Sequence, residues 1–239
     1  MLHKTRGIVC KTLKYSDTSI ITHIYTEKLG LQSYIVRGVR SAKSKGKAAL
    51  YQHGNLLDLV VYHKESASLQ NVSEANLAHM YTSTPFDVVK SALLIFYLEV
   101  LNKVLQEQEE NEGLFDFLFE QFIHLDEMEK VAPNHHIWFL LALSKYLGFY
   151  PASGEGVFFD LQGGVFTHSV PGHGAYLPSG IASVLKKSIS PELKNYDQLQ
   201  INTAERKQLL HSLLDYYRLH LHHFSEIKSV QVLESLFQR

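Results

Sequence analysis

Lys28, Arg37, Arg40, Lys43, Lys45 and Lys47 follow one another with no Asp or Glu before Asp58, in a chain of 239 residues whose formal net charge is only −1. Cations at that density suit a polyanion, because each Lys or Arg that neutralises a phosphate releases a condensed counterion. The alternative is a solvated basic face without a ligand, which self-repulsion disfavours. The stretch Arg37-Gly38-Val39-Arg40-Ser41-Ala42-Lys43-Ser44-Lys45-Gly46-Lys47 has side chains too small to pack a core and a backbone free enough to follow phosphates. Lys11 and Lys14 precede it, and Tyr15, Tyr25, Tyr34 and Tyr51 are interleaved with the charges. Exposed rings of this kind stack unpaired bases; the plainer reading of each is an ordinary strand residue. The candidate nucleic-acid-binding set is therefore Arg37, Arg40, Lys43, Lys45, Lys47, Lys28, Lys11, Lys14, Tyr15 and Tyr34. Base-reading Asn and Gln are sparse here, so binding should be phosphate-directed, steeply salt-dependent and weakly sequence-selective.

Other constellations carry less. The adjacent His135 and His136 would diverge by about 100° on a helix and cannot easily share a metal. His220, His222 and His223 close a long helical segment, where cationic side chains at the surface complement the helix dipole. His168, His173 and Asp160 lie in a Gly/Pro-rich region and could ligate zinc in a metal-dependent hydrolase, but no H-E-x-x-H pairing accompanies them. Phosphate-binding glycine loops and a G-x-S-x-G elbow are absent. The expectation is a non-enzyme without cofactor or metal.

The charges are unevenly shared. Residues 1–80 hold eleven Lys or Arg against five acids, a balance of +6, and the remainder carries −7. The single Cys10 excludes an internal disulfide framework and any multi-cysteine zinc site. No apolar run is long enough to cross a bilayer and the N-terminus has no apolar leader, so a cytoplasmic protein is expected.

The elements that must position the basic residues fall into two classes. Up to about residue 80, β-rich runs (Gly7 to Tyr15, Ser19 to Thr26, Gln32 to Val39, Leu56 to Tyr62, Leu69 to Glu74) are separated by turn residues. Five short strands suit a small closed barrel of the oligonucleotide-binding (OB) type, since closure removes exposed edges. Beyond it, Thr84-Pro85 reads as a helix start, with Thr84 as N-cap and the helix running to about Gln106 as the centre of a second domain. Further helices are predicted over Glu112 to Leu125, Asn134 to Leu147, Ile181 to Lys187, Asn202 to His222 and Ser229 to Phe237, with a capping-box pattern at Asn202 and Glu205. Between them, residues 148–180 read as a Gly/Pro-rich loop insertion with at most a short hairpin across Gly163-Gly164. The fold class is α+β: a barrel over residues 1–80 and an all-helical domain over 81–239.

Gly7-Ile8-Val9-Cys10-Lys11-Thr12, Tyr15-Ser16-Asp17-Thr18-Ser19-Ile20-Ile21, Tyr25-Thr26-Glu27-Lys28-Leu29-Gly30, Val36-Arg37-Gly38-Val39-Arg40 and Glu74-Ala75-Asn76-Leu77 together resemble, in order and spacing, the N-terminal domain of the RecO family of bacterial recombination mediators. The second half is similar in layout, with Gly148-Phe149-Tyr150-Pro151 and the Gly163-Gly164 turn interrupting helices. The resemblance implies a non-catalytic protein that binds single- and double-stranded DNA and anneals complementary strands. It implies work with RecR, and indirectly with RecA, to load the recombinase onto DNA coated by single-strand-binding protein, in the nucleoid-associated cytoplasm. It assigns DNA to the basic barrel face, at Arg37, Arg40 and the Lys43 to Lys47 loop, and the acidic tail of single-strand-binding protein to the helical domain. Many members carry a four-cysteine zinc module after the position of Tyr150-Pro151; this chain has no cysteine there, so the Phe158-Phe159-Asp160 to Phe166 segment is expected to pack through its aromatics. The rival reading is a protein adaptor that acts through its helical domain without binding DNA.

Overall fold

The computed structural model describes residues 1–41, 44, 46–105, 109–190 and 199–237. Lys43 and Lys45, and Gln106 at the expected end of the first helix, lie outside the described residues.

Five strands, β1 (Leu2–Tyr15), β2 (Ser19–Thr26), β3 (Gly30–Val36), β4 (Leu56–Tyr62) and β5 (Gln70–Leu77), close into a barrel in the order β1-β2-β3-β5-β4. This is the OB topology expected from the strand count. The long β1 serves two neighbours. Its first half, Leu2 to Ile8, pairs with β4, and Gly7 to Tyr15 pair with β2. The register shifts between Val9 and Lys11, a bulge at Cys10 that bends the strand from one partner to the other. Gly7 stands where the pairings overlap: a Cβ there would come within 2.6 Å of Ile24 Cγ2 and 2.7 Å of Leu59 Cδ1. β3 and β5 run parallel and close the barrel through only two residue pairs, Tyr34 with Gln70 and Ile35 with Asn71. Alternate strand residues, among them Val9, Ile20, Ile24, Tyr34, Val36, Leu57, Leu59 and Val61, fill the interior, with Val39 and Tyr51 inserted from the β3–β4 connection. The third strand stops at Val36 rather than Val39 because Gly38 turns the chain at a φ of +72°.

Two helices pack with the barrel: α1 (Val88–Val104) and α2 (Glu112–Glu127). Compactness divides the chain into Met1–Met128 and Glu129–Arg239, so α1 belongs with the barrel rather than at the centre of the later helices. Asn102 Nδ2 of α1 donates to the Cys10 carbonyl at 3.1 Å. Arg6 of β1 reaches Asp116 of α2 at 2.7 Å and Glu27 at 2.9 Å, and its guanidinium lies over the Phe115 and Phe119 rings. The start of α1 differs from the Thr84-Pro85 expectation. Asp87 is the N-cap, accepting from the Val89 and Lys90 amides, while the Thr84 amide donates instead to the carboxylate of Asp126. That carboxylate, almost wholly enclosed, also receives the Thr82 and Ser83 amides and Nε2 of His79. Burial alone would raise its pKa; the three amides reverse this and hold it well below the usual carboxylate range. Buried Lys90 ties the same corner by donating Nζ to the Asp126 and Met128 carbonyls.

The second unit contains α3 (His135–Tyr146), α4 (Ser179–Ser188), α5 (Thr203–His220) and α6 (Val230–Leu236), with a small sheet in the order β7-β6-β8. Its strands are β6 (Phe158–Asp160), β7 (Val165–Thr167) and β8 (Tyr176–Leu177). The expected hairpin is present as β6–β7, but β8 makes a third strand, so the region is neither all-helical nor only loop. Two residues of β8 carry too little periodicity to be read from sequence. Phe159 packs edge-on against Phe166 and Tyr216, centroids 5.0 and 5.8 Å away, as the aromatic reading anticipates. The Asn202–Glu205 capping box at α5 is complete in both directions.

Candidate nucleic-acid interface

Strand register sorts the basic residues. Residues directly opposite one another in an antiparallel pair share a face. Tyr15 lies opposite Ser19; Leu13 is level with Ile21 and Ile35; Lys11 is level with His23 and Ser33. These residues form the outer face of β1–β2–β3. Lys14 falls on the inward side, opposite the core residue Ile20, but β1 outruns the barrel there and leaves it exposed at the rim.

The same end of the barrel receives the β3–β4 connection. Arg37 leaves the end of β3 exposed and donates to Asn71 Oδ1 at 2.7 Å. The Arg40 amide and guanidinium donate to the Thr18 and Ser16 carbonyls, both at 3.1 Å, clipping the connection to the β1–β2 turn. Buried Val39 anchors it in the core, and Ser44 Oγ donates to the Val39 and Ser41 carbonyls. The connection is therefore fastened at several points, not merely a free polybasic tether. Gly46, at a φ of +80°, starts the 3-10 helix Lys47–Tyr51, which leaves Lys47 exposed. Arg37, Arg40, Lys47 and Lys14 thus meet at one barrel end beside exposed Tyr15, with Asp17 as the acid of the neighbouring turn.

Other members of the set are placed differently. Lys28 is exposed in the β2–β3 turn, at the far end of β2, about 23 Å away along seven residues of strand. Tyr34 must be withdrawn as a stacking residue: it is 0% exposed, its ring inside the barrel. Tyr25 and Tyr51 are likewise core, leaving Tyr15, 50% exposed, as the one tyrosine of the four on the surface. The alternate sets Leu31, Ser33, Ile35 and Gln32, Tyr34, Val36 both mix apolar with polar residues, so strand spacing alone does not say which set faces in.

Leu13, His23, Ser33 and Asn71 were not singled out by residue type, although period-2 spacing from Lys11 points to the first. His23 Nδ1 and Ser33 Oγ are 2.9 Å apart. Burial, then the charge of Lys11, push the His23 pKa down from 6.5, favouring a neutral ring at neutral pH.

The histidine alternatives resolve into packing. His135 stacks on Trp138 and His136 on Phe237. His220, expected at the surface, stacks on Phe149 at 5.1 Å and approaches the Leu161 carbonyl at 3.0 Å; His222 and His223 are exposed. Asp160 accepts from the Gln162 and Gly163 amides in the β6–β7 turn and meets His173 at 3.1 Å. Among the described residues no three His, Cys, Asp or Glu side chains come together, so His168 does not complete a ligand set. Burial pushes the Cys10 thiol up to about 12, away from nucleophilic use. No described helix is long and apolar enough to cross a membrane.

Two family models match the chain: Recombination protein O N terminal over residues 1–81 and Recombination protein O C terminal over residues 85–229. Relatives named DNA repair protein RecO align over nearly the whole chain. Those of Phocaeicola vulgatus and Bacteroides fragilis are each 36% identical, covering 99% of this chain and 100% of the relative. That of Flavobacterium psychrophilum is 35% identical, covering 98% of each. With an OB barrel that gathers cations at one end and two consecutive family matches, the chain belongs to the recombination protein O family.

Proposed function

We propose that this protein is a DNA-binding mediator of recombinational repair that anneals complementary single strands and helps load the recombinase onto DNA coated by single-strand-binding protein. The observation that carries the DNA-binding part is the convergence of Arg37, Arg40, Lys47 and Lys14 beside Tyr15 at one end of an OB barrel. Fixed cations hold phosphates without regard to sequence, and an exposed ring lets unpaired bases stack. Lys11 extends this surface along the outer face of β1; Lys28 would be reached by a longer strand. Lys43 and Lys45, which lie between Arg40 and Lys47 in the sequence, are further cations proposed to meet phosphate. Two strands whose charges are neutralised on such a surface repel each other less, which is the physical requirement for annealing.

Family membership supports RecR and the acidic tail of single-strand-binding protein as partners, with RecA acted on indirectly, in the cytoplasm at the nucleoid. None of these roles requires a catalytic group, cofactor or metal. The test is an annealing assay with complementary labelled oligonucleotides, bare and precoated with single-strand-binding protein. Acceleration of both is expected, with loss of both in Arg37→Glu/Arg40→Glu. Acceleration of neither, by a protein that also fails to bind the oligonucleotide at low salt, would overturn the proposal.

A further inference from the structure

The seam between β3 and β5 closes only at its start. β3 ends at Val36, whereas β5 continues to Leu77, and among the described residues no strand pairs the second edge of residues 72–77. Where the two strands part, a cleft of about 520 Å³ opens, lined by Arg37, Val72 and Glu74 and by Lys47 and Leu50 of the 3-10 helix, which packs against β5. That volume is within the range of ligand sites.

An open strand edge presents N–H and C=O groups at strand spacing, a template for one more strand. A peptide matches that repeat with its own main chain; a sugar-phosphate backbone, which has no alternating amides, does not. The charges add direction. Arg37, bonded to Asn71, stands at the end of the cleft where β5 begins, Lys47 is part of the lining, and Glu74 stands farther along β5.

We propose that this cleft receives an extended segment of a protein partner, about five residues long, paired main chain to main chain with β5. Its acidic side chain lies at Arg37, and its basic side chain lies near Glu74. Five residues span about 17 Å. Because Arg37 also belongs to the phosphate-binding group, peptide and single strand compete for one guanidinium, which would couple partner docking to release of DNA. The docking itself does not depend on the DNA reading.

The test uses the full chain, isotopically labelled, and two fluorescein-tagged octapeptides of alternating valine. One carries aspartate towards its N-terminus and lysine towards its C-terminus; the other has the reverse order. One charge order is expected to bind roughly tenfold or more tightly than the other. Methylation of one alternate set of backbone amides should cost a further factor of roughly ten, since it removes main-chain donors without changing charge. Amide resonances of residues 72–76 should shift on binding. The proposal is overturned if neither peptide binds at about 1 mM, if both methylated forms bind as well as the parent, or if the shifts fall elsewhere. It is also overturned if residues 72–76 respond to a single-stranded oligonucleotide but to neither peptide, which would make the cleft a nucleic-acid groove. Oligonucleotide affinity is read separately by anisotropy, so failure of the DNA reading and failure of this one are distinguishable.

Discussion

Removing Arg37 and Arg40 together should change not only how tightly single-stranded DNA binds but how steeply binding depends on salt. Five described cations, Lys11, Lys14, Arg37, Arg40 and Lys47, lie at or next to one end of the barrel and are all exposed. Counting one phosphate for each of these five, log K falls against log salt with a slope of about −3.5 for a single strand, which Lys43 and Lys45 would each steepen by about 0.7. A rise from roughly 50 to 200 mM salt then weakens binding about 130-fold. In Arg37→Ala/Arg40→Ala the slope should shrink to about −2.1, and the same change of salt should cost only about 20-fold. Anisotropy of a labelled oligothymidylate reads both slopes, and circular dichroism confirms that the variant is folded. Both arginines are exposed, so the substitution should alter stability by only about 0.5 kcal/mol, plus whatever the Ser16, Thr18 and Asn71 hydrogen bonds contribute. A folded variant whose slope equals that of the parent would show that these arginines do not hold phosphate. Lys28→Ala should leave the slope unchanged for a short oligonucleotide, because the β2–β3 turn lies at the other end of the barrel.

Further expectations are local. Tyr15→Ala should cost about 1–3 kcal/mol of single-strand affinity through lost stacking, while Tyr34→Phe leaves affinity unchanged; equal losses in both would contradict their burial. Asp126→Asn should destabilise the protein by about 2–4 kcal/mol in denaturant titration, since an amide cannot satisfy the donors that converge on the buried carboxylate. Because the folded pKa of Asp126 lies below its ordinary 3.8, its contribution is fully present above that value and drains away as pH falls below it; acid unfolding indifferent to the substitution would refute this. Cys10, enclosed with its thiol pushed up to about 12, should resist a thiol reagent until the protein unfolds, and rapid labelling of the native state would be the contrary result. Gly156→Ala should unsettle the small sheet, because a Cβ there would overlap the Thr167 backbone; an unchanged melting temperature would count against that packing.

Much of the architecture was legible because it is written in local signals. Five β-rich runs separated by turn residues gave the barrel, and the i, i+3, i+4 spacing beyond residue 110 gave α2 to α6 to within a few residues. The capping pair Asn202 and Glu205 formed as its spacing suggested. Thr84-Pro85 misled because a tertiary contact shapes that turn: the Thr82, Ser83 and Thr84 amides converge on the buried Asp126 carboxylate, more than 40 residues away, and the helix starts later, capped by Asp87. β8 escaped because two residues hold no pattern apart from the strand they pair with.

The candidate site divides in the same way. Residue type and clustering alone determined that residues 1–80 are basic and that Arg37, Arg40 and Lys47 belong to one connection, since adjacency in the chain is enough to place them together. Which tyrosine reaches solvent, and which lysines join the arginines, was decided only by the closed barrel. Closure assigns each strand residue to the inside or the outside, buries Tyr34 and leaves Tyr15 free, brings Lys14 to the arginine end and sends Lys28 to the opposite one. Strand pairing makes those assignments between residues distant in sequence, and composition and spacing do not encode it.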